Sequence, residues 1–252
     1  MSKTIFYFSA TGNSLQAALD IAEGIGGAEV ISIAKAGMGA KCDSDVIGFV
    51  FPSFCWGMPN MIFDFIESAT LNPNAYFFTV VTCGAAMGCA ASDVNALLHK
   101  KGAKLSYGAK VKMVSNYIVA YDVKDEEGQN KVLAKANEKL AEIIQDIKQQ
   151  KNSKPSKGFG IIRKLRRKIL EEWKTADKSF NVNEDCNGCG ICASVCPAKN
   201  IEMDDGKPKY LHNCEHCIAC MHWCPQKAIN FGKSTQKRRR YHHPKVKAEQ
   251  LP

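Results

Sequence analysis

Short apolar runs alternate with amphipathic patterns through the first 150 residues. The runs lack polar alternation, which predicts strands covered on both faces. The predicted strands are residues 3–8, 28–33, 46–51, 76–82 and a fifth within 105–114. Helical periodicity predicts helices over 14–24, 60–68, 89–100 and 126–150. This alternation predicts an α/β fold with a doubly wound, five-stranded parallel sheet.

The pattern changes after residue 150. Residues 151–158 form a polar, breaker-rich linker, and an amphipathic helix is predicted to follow. Its apolar residues recur at spacings of three and four, and we expect them to pack inward between domains: Phe159, Ile162, Leu165, Ile169 and Trp173. We divide the chain into a sheet domain (1–150), a basic linker and helix (151–180), a cysteine-rich domain (181–232) and a solvated basic tail (233–252).

The cysteine-rich domain contains an internal repeat. Residues 186–203 and 214–231 each begin with C-x2-C-x2-C-x3-C-P. This spacing resembles that of bacterial two-cluster ferredoxins, a small α+β fold in which the fourth cysteine of each run ligates the other cluster. The resemblance implies two [4Fe–4S] clusters with crossed ligand sets. Those sets are Cys186, Cys189, Cys192 and Cys224 for cluster 1, and Cys214, Cys217, Cys220 and Cys196 for cluster 2.

Zinc is the alternative metal for these cysteines. Structural zinc sites use two C-x2-C pairs separated by a longer loop, and the third and fourth cysteines of each run do not fit that layout. His216 and His222 lie among the ligands, but no cysteine is missing for them to replace, so we expect exposed loop histidines. Ligation in exposed loops usually makes clusters oxygen-labile, which suggests an anaerobic or strongly reducing cell.

The distribution of charge and cysteine along the chain indicates the compartment of the protein and the class of its partners. The net charge is +9, but residues 1–150 and 181–232 carry −2 each, while 151–180 carry +7 and 233–252 carry +6. The basic segments suit docking to an acidic redox partner protein; charged tails are mostly just solvated, so we expect no nucleic acid. No export signal or membrane span is apparent, and reduced thiols fit a cytoplasmic protein.

The turn after the first strand carries the second candidate chemistry. Residues 9–14, SATGNS, place hydroxyls, an amide and a glycine where a helix N-terminus can hold a phosphate, although Ser, Thr and Asn also cap ordinary helices. The turn resembles the phosphate loop of flavodoxins, which implies FMN. The matching site residues are Ser9, Thr11, Gly12, Asn13 and Ser14 on the phosphate, and Pro52, Ser53, Phe54, Trp56, Gly57, Thr82, Cys83, Gly84 and Gly88 around the ring.

One departure from the flavodoxin pattern concerns the second face of the flavin. Trp56 is our candidate for stacking on one face, but residues 82–88 supply no second aromatic. That face is either open, covered by Met87 or Tyr117, or met by the cysteine-rich domain or a partner. Cys55 and Cys83 are expected to be buried thiols without a redox role.

The two halves together resemble the flavodoxin–ferredoxin fusion proteins of anaerobic bacteria and archaea. The resemblance implies electron transfer between FMN and two [4Fe–4S] clusters, within one chain or across a homodimer. No catalytic constellation is evident, so an electron carrier is favoured. The first alternative is an FMN/iron–sulfur oxidoreductase that reduces a small organic acceptor at an open flavin face. The second is a redox sensor bound to nucleic acid or a membrane through the basic segments.

Overall fold

The computed structural model describes residues 1–153 and 160–252, without the side chains of residues 160–164. The strands in chain order are β1 (Lys3–Tyr7), β2 (Glu29–Ser32), β3 (Lys41–Cys42), β4 (Val46–Pro52), β5 (Thr70–Leu71), β6 (Tyr76–Cys83), β7 (Leu105–Lys112), β8 (Phe180–Val182), β9 (Ile201–Asp204), β10 (Lys207–Tyr210) and β11 (Ile229–Phe231). The α-helices are α1 (Asn13–Gly24), α2 (Ile33–Ala36), α3 (Asn60–Ser68), α4 (Ala90–Lys100), α5 (Glu126–Lys148), α6 (Gly160–Glu172), α7 (Ile191–Ser194) and α8 (Ala219–His222). The 3₁₀ segments are Trp173–Ser179 and Ala248–Gln250.

The sheet domain is built on five parallel strands in the order β2-β1-β4-β6-β7. This is the flavodoxin-like strand order, in which the chain reverses direction across the sheet beside β1. The predicted doubly wound parallel sheet is confirmed. The apolar runs have a simple cause, since the central strands β4 and β6 are buried on both faces.

Helices cover both faces of this sheet. One apolar core joins α1 and α5 to one face, and a second joins α3 and α4 to the other. The inner face of α5 is supplied by Leu133, Ala136, Leu140, Ile143 and Ile147, as its periodicity predicts. The α1/α5 core continues into the cysteine-rich domain, where Val195, Met221 and Trp223 belong to the same cluster. The two domains therefore share buried apolar surface.

The cysteine-rich domain consists of two antiparallel strand pairs, β8 with β11 and β9 with β10, and the short helices α7 and α8. Both helices follow a residue in the left-handed region, Gly190 before α7 and Ile218 before α8. Each helix begins between the second and third cysteine of its run. The two cysteine runs therefore share the same local backbone conformation, so the sequence repeat is also a structural repeat.

The face that α6 buries differs from the predicted one. Leu165 is 62% exposed and Ile169 is 38% exposed, so the expectation that they pack inward is wrong. Arg166 and Leu170 are buried instead, each 6% exposed. The reason is that the buried Asp93 carboxylate of the sheet domain pairs with Arg166. The helix therefore turns Arg166 inward, and part of the predicted apolar stripe faces solvent. Phe159 and the side chain of Ile162 lie outside the described residues.

The predicted solvated tail is the second correction. Residues 233–252 run back across the sheet domain, and Tyr241, His243, Val246 and Leu251 are all buried. The arginines of the basic run bind groups within the chain and not solvent alone. Arg239 pairs with the Asp122 carboxylate at 2.9 Å, and Arg238 and Arg240 donate to backbone carbonyls. We refer to residues 233–252 as the C-terminal segment.

Candidate functional site

A cavity of about 480 Å³ opens at the carboxyl ends of the sheet strands. The loops after β1, β4 and β6 meet there because these parallel strands all end at the same edge. Eleven of the fourteen predicted cofactor-binding residues line it: Ser9, Thr11, Asn13, Ser14, Pro52, Ser53, Phe54, Trp56, Thr82, Cys83 and Gly84. The structure places the other three behind the lining, where Gly12 faces the C-terminal segment, Gly57 faces Arg166 and Gly88 faces the Trp56 carbonyl.

The turn before α1 is a buried helix N-terminus. Ser9, Thr11, Asn13 and Ser14 are each at most 7% exposed. Gly12 has φ of 91°, a conformation that strains any residue with a Cβ. Within the described residues, no side chain caps α1, and the N–H groups of Thr11, Asn13 and Ser14 have no acceptor in the chain. Since buried helix ends normally find partners, this turn has the donors that an anion needs.

The polar side chains of the turn are held by neighbouring loops. The Ser14 hydroxyl lies 2.8 Å from that of Thr82, at the end of β6. The Asn116 amide donates to the Thr11 hydroxyl at 2.6 Å. These bonds fix hydroxyls from two loops on the wall of the cavity, where they can donate to or accept from a ligand.

The loop after β4 is a tight hairpin that presents Trp56. Cys55 and Trp56 both have positive φ, and Phe54 and Gly57 pair across the turn. The Trp56 carbonyl accepts from the Cys89 N–H at 2.9 Å, so the backbone is fixed. The indole, however, is 71% exposed. A large apolar side chain held at the mouth of a cavity is a typical ligand-contacting group.

Aromatic residues from other segments complete the lining. Tyr117 follows β7, and its ring stacks with Trp173 at 6.5 Å between centroids. The Tyr117 hydroxyl lies 2.9 Å from Nε2 of His216, and Trp173 lies 4.8 Å from the His216 ring. The linker and the cysteine-rich domain therefore reach the cavity, whereas Met87 is not in its lining among the described residues. Tyr121 is a further lining residue that sequence reasoning missed.

The two histidines of the cysteine-rich domain are buried, which corrects the prediction that they are exposed. His216 is 4% exposed, and burial lowers its pKa to about 4. His222 is 2% exposed, accepts the Tyr241 N–H at Nδ1 and places Nε2 2.8 Å from the Asn116 carbonyl. This fixes the neutral ring with its proton on Nε2. Both histidines sit at the interface between the domains, which the repeat pattern alone does not reveal.

The eight cysteines of the repeat line two further small cavities. One is lined by Cys186, Cys189, Cys192 and Cys224, and the other by Cys196, Cys214, Cys217 and Cys220. Burial raises the pKa of Cys192 to about 11 and that of Cys214 to about 12, so a metal that binds here must displace a proton from each thiol. Among the described side chains, no three of His, Cys, Asp and Glu converge on a point for a single ion.

Cys217 and Ile218 line both the large cavity and the second small one. The two cavities therefore have a common wall only one segment thick. Among the described residues, none lines both the large cavity and the cavity of the first set, and Cys189 of that first set is exposed to solvent.

Comparison with known proteins gives the following matches. A family model described as a 4Fe-4S binding domain matches residues 182–202. Among solved structures, a Fusobacterium nucleatum flavodoxin bound to flavin mononucleotide matches with TM-score 0.40 and 12% identity over 60% of this chain and 99% of that one. Megasphaera elsdenii flavodoxin matches with TM-score 0.33 and 18% identity over 43% and 85% of the two chains. The curated proteins contain no match.

These TM-scores are low, so the fold assignment rests on the strand order. That order and the matched 4Fe-4S segment occur on one chain. The architecture fits a flavodoxin–ferredoxin fusion. In the described part of the chain, no helix is long and apolar enough to cross a membrane.

A buried ion pair fixes helix α6 of the linker to the sheet domain. The Arg166 guanidinium donates to the Asp93 carboxylate and, at 2.7 Å, to the Met58 carbonyl. A Cβ on Gly57 would lie 2.2 Å from Cζ of Arg166, so the guanidinium lies directly on the Trp56 hairpin. The linker helix thereby holds the hairpin that lines the cavity.

Proposed function

We propose that this chain is an electron-transfer protein that holds FMN in the large cavity and two [4Fe–4S] clusters in the cysteine-rich domain. The observation that carries the proposal is the wall of Cys217 and Ile218, which the large cavity and the second cysteine-lined cavity have in common. Electron carriers need their redox groups close together and shielded from water, and this arrangement supplies both conditions within one chain.

The turn at residues 9–14 fits the phosphate of FMN. It offers unpaired N–H groups, the positive end of the α1 dipole and buried hydroxyls. Neutral donors of this kind hold an anion without Lys or Arg. The volume of the cavity lies within the range of roughly 300–1,000 Å³ that is usual for small-molecule sites. Trp56 lies on the hairpin after β4, and Tyr117 and Trp173 come from later segments of the chain. All three line the cavity and provide aromatic surface for the ring system.

The crossed cysteine sets fit iron–sulfur clusters. Each set combines three cysteines of one repeat with the fourth of the other, as in two-cluster ferredoxins, and each lines its own cavity. When bound, the clusters exchange single electrons and FMN exchanges one or two. The chain positions these groups, keeps water from the buried thiolates and donates backbone N–H groups to Cys196 and Cys224 at 3.3 Å.

The order of the cysteine sets is part of the proposal. The set of Cys196, Cys214, Cys217 and Cys220 adjoins the large cavity, while Cys189 of the other set reaches the surface. A redox partner protein therefore meets the chain beside Cys189. No observation favours reduction of a small organic acceptor over electron transfer to a partner protein, because Tyr117, Trp173 and His216 line the same cavity as the proposed flavin-binding residues.

Anaerobic reconstitution tests the proposal. The full chain is loaded with iron, sulfide and FMN, and each is quantified per chain. We expect about eight iron atoms and about one FMN per chain, with two cluster signals in an EPR-monitored redox titration. Zinc retained in place of iron, or a chain that takes up no flavin, would contradict it. Adding quinones or nitroaromatics to the reduced protein tests the oxidoreductase alternative, which requires multiple turnovers.

A further inference from the structure

The C-terminal segment contacts the outer side of the turn at residues 9–14. The His243 N–H donates to the Thr11 carbonyl at 2.7 Å. The Tyr241 hydroxyl donates to Oδ1 of Asn13 at 2.6 Å. A Cβ placed on Gly12 would lie 2.9 Å from Cβ of Val246, so this side chain packs directly on the turn. These contacts come from residues more than 200 positions away in the chain.

The segment is itself fixed to the cysteine-rich domain. His242 stacks on Trp223, with ring centroids 4.5 Å apart and planes 14° apart. The Trp223 indole N–H donates to the Ala10 carbonyl at 2.9 Å, and Tyr241 donates its N–H to His222. The turn is therefore enclosed from outside by one continuous surface made of the segment and of α8 with its flanks.

In each of the hydrogen bonds to the turn, the turn supplies the acceptor and the other residue supplies the donor. They satisfy hydrogen-bond acceptors of the turn, namely the carbonyls of Ala10 and Thr11 and the amide oxygen of Asn13. The Asn13 amide nitrogen donates to the Val114 carbonyl at 3.2 Å, so both ends of that side chain are held. In the part of the chain that the structure describes, the N–H groups of Thr11, Asn13 and Ser14 keep no protein acceptor. Acceptors that would repel an anion are thus engaged outside, and donors are left for the cavity.

We infer that the C-terminal segment is a positioning element for the phosphate-binding turn and sets the affinity of the chain for the phosphate of its flavin. This inference rests on the proposed FMN site and adds a function to a segment outside the sheet domain. The geometry requires no contact between the segment and the ligand. Tyr241 and His243 act through the turn, by holding its carbonyls and amide away from the anion.

The test compares FMN with riboflavin, which has the same ring system but no phosphate. Binding is measured by flavin fluorescence quenching and visible circular dichroism on the full, cluster-loaded chain and its variants. Tyr241→Phe removes one hydroxyl and keeps the ring in its buried site. Truncation after residue 242 removes the His243 and Val246 contacts. Lys245→Ala is the matched control, because it removes one exposed positive charge of the same segment.

We expect Tyr241→Phe to weaken FMN binding by about fivefold, the effect of one hydrogen bond, and truncation to weaken it by about 10- to 100-fold. Riboflavin affinity and iron content should stay within about twofold of the parent chain in both variants, and Lys245→Ala should bind FMN like the parent. A turn that is merely destabilised along with the whole fold would lose both flavins equally.

Two results would overturn the inference while leaving the proposed function intact. One is parental FMN affinity in both Tyr241→Phe and the truncated chain. The other is an equal loss of FMN and riboflavin, which would mean a general structural role. If the truncated chain fails to fold, Tyr241→Phe decides alone. A parent chain that binds neither flavin would overturn the proposed function, and this inference with it.

Discussion

The sheet domain covers both faces of a five-stranded sheet with long helices, whereas the cysteine-rich domain has two pairs of short strands and two helices of four residues. The first is built around two apolar cores, one of which continues into the second region. In the second, several of the buried side chains are the cysteines themselves. We therefore expect bound groups to have different structural roles in the two regions. In the proposed function, metal binding is part of the folding free energy of the cysteine-rich domain, whereas FMN adds binding free energy to a sheet domain with its own apolar cores.

The largest effect should come from removing a buried cysteine of the second set. In Cys220→Ala we expect iron to fall to about half or less of the parent content, with loss of amide-hydrogen protection across residues 181–232. The strands of the sheet domain should keep their protection. Hydrogen exchange read by mass spectrometry, together with iron analysis, measures both. Cys42→Ala is the control, since this thiol is buried in the sheet domain. Parental iron content in Cys220→Ala would contradict the ligand assignment.

The next effect concerns the helix that joins the two regions. Arg166→Met leaves the buried Asp93 carboxylate without its guanidinium, and we expect a loss of about 3 kcal/mol in the free energy of unfolding. The matched control is Arg167→Met on the same helix. Arg167 pairs with Asp64 at 3.0 Å in a half-exposed position, so its loss should cost about 1 kcal/mol or less. Urea unfolding of both variants measures the difference, and equal costs would refute the buried role of Arg166.

A smaller effect depends on pH. Burial lowers the pKa of His243 to about 4, below its ordinary value near 6.5, so the unfolded chain binds this proton first as the pH falls. Stability from neutral His243 is present above about pH 6.5 and is lost progressively down to pH 4. We expect His243→Asn to lose less stability than the parent between pH 7 and pH 5, by on the order of 1–2 kcal/mol. Denaturant midpoints at both pH values measure this, and identical pH dependences would contradict it.

The smallest effect on stability is expected at Trp56. Because its indole is 71% exposed, Trp56→Ala should change the free energy of unfolding of the flavin-free chain by about 0.5 kcal/mol or less. The same variant should weaken both FMN and riboflavin by about tenfold, since the lost contact is with the ring. By contrast, the variants of the C-terminal segment are expected to weaken binding of FMN but not of riboflavin. Unchanged riboflavin affinity in Trp56→Ala would exclude a ring contact.

The sheet domain could be predicted almost entirely from local patterns. Buried parallel strands are apolar on both faces, and the helices between them bury one stripe each, so β4 and α5 were predictable within a residue or two at most boundaries. The turn at residues 9–14 was likewise recognisable, because it lies between β1 and α1 in the sequence and needs no distant contact to be identified.

The contacts between regions could not be predicted in this way. Arg166 is buried because of Asp93, 73 positions earlier, and a helical pattern gives a charged residue no reason to face inward. The run around Arg239 is typical of a solvated tail unless Asp122 is known to lie beside it. A weak signal existed, since Tyr241, Val246 and Leu251 recur at five-residue spacing among the charges.

In the proposed function, the second cysteine set, and not the first, adjoins the flavin. The most direct measurement is the EPR relaxation of the one-electron-reduced flavin in chains with reduced clusters, because a nearby paramagnetic cluster accelerates it. We expect Cys189→Ala, which removes a ligand of the first set, to keep the accelerated relaxation and Cys217→Ala to abolish it. Loss of the acceleration in Cys189→Ala, with cluster 2 intact by iron analysis, would show that the second cysteine set does not adjoin the flavin.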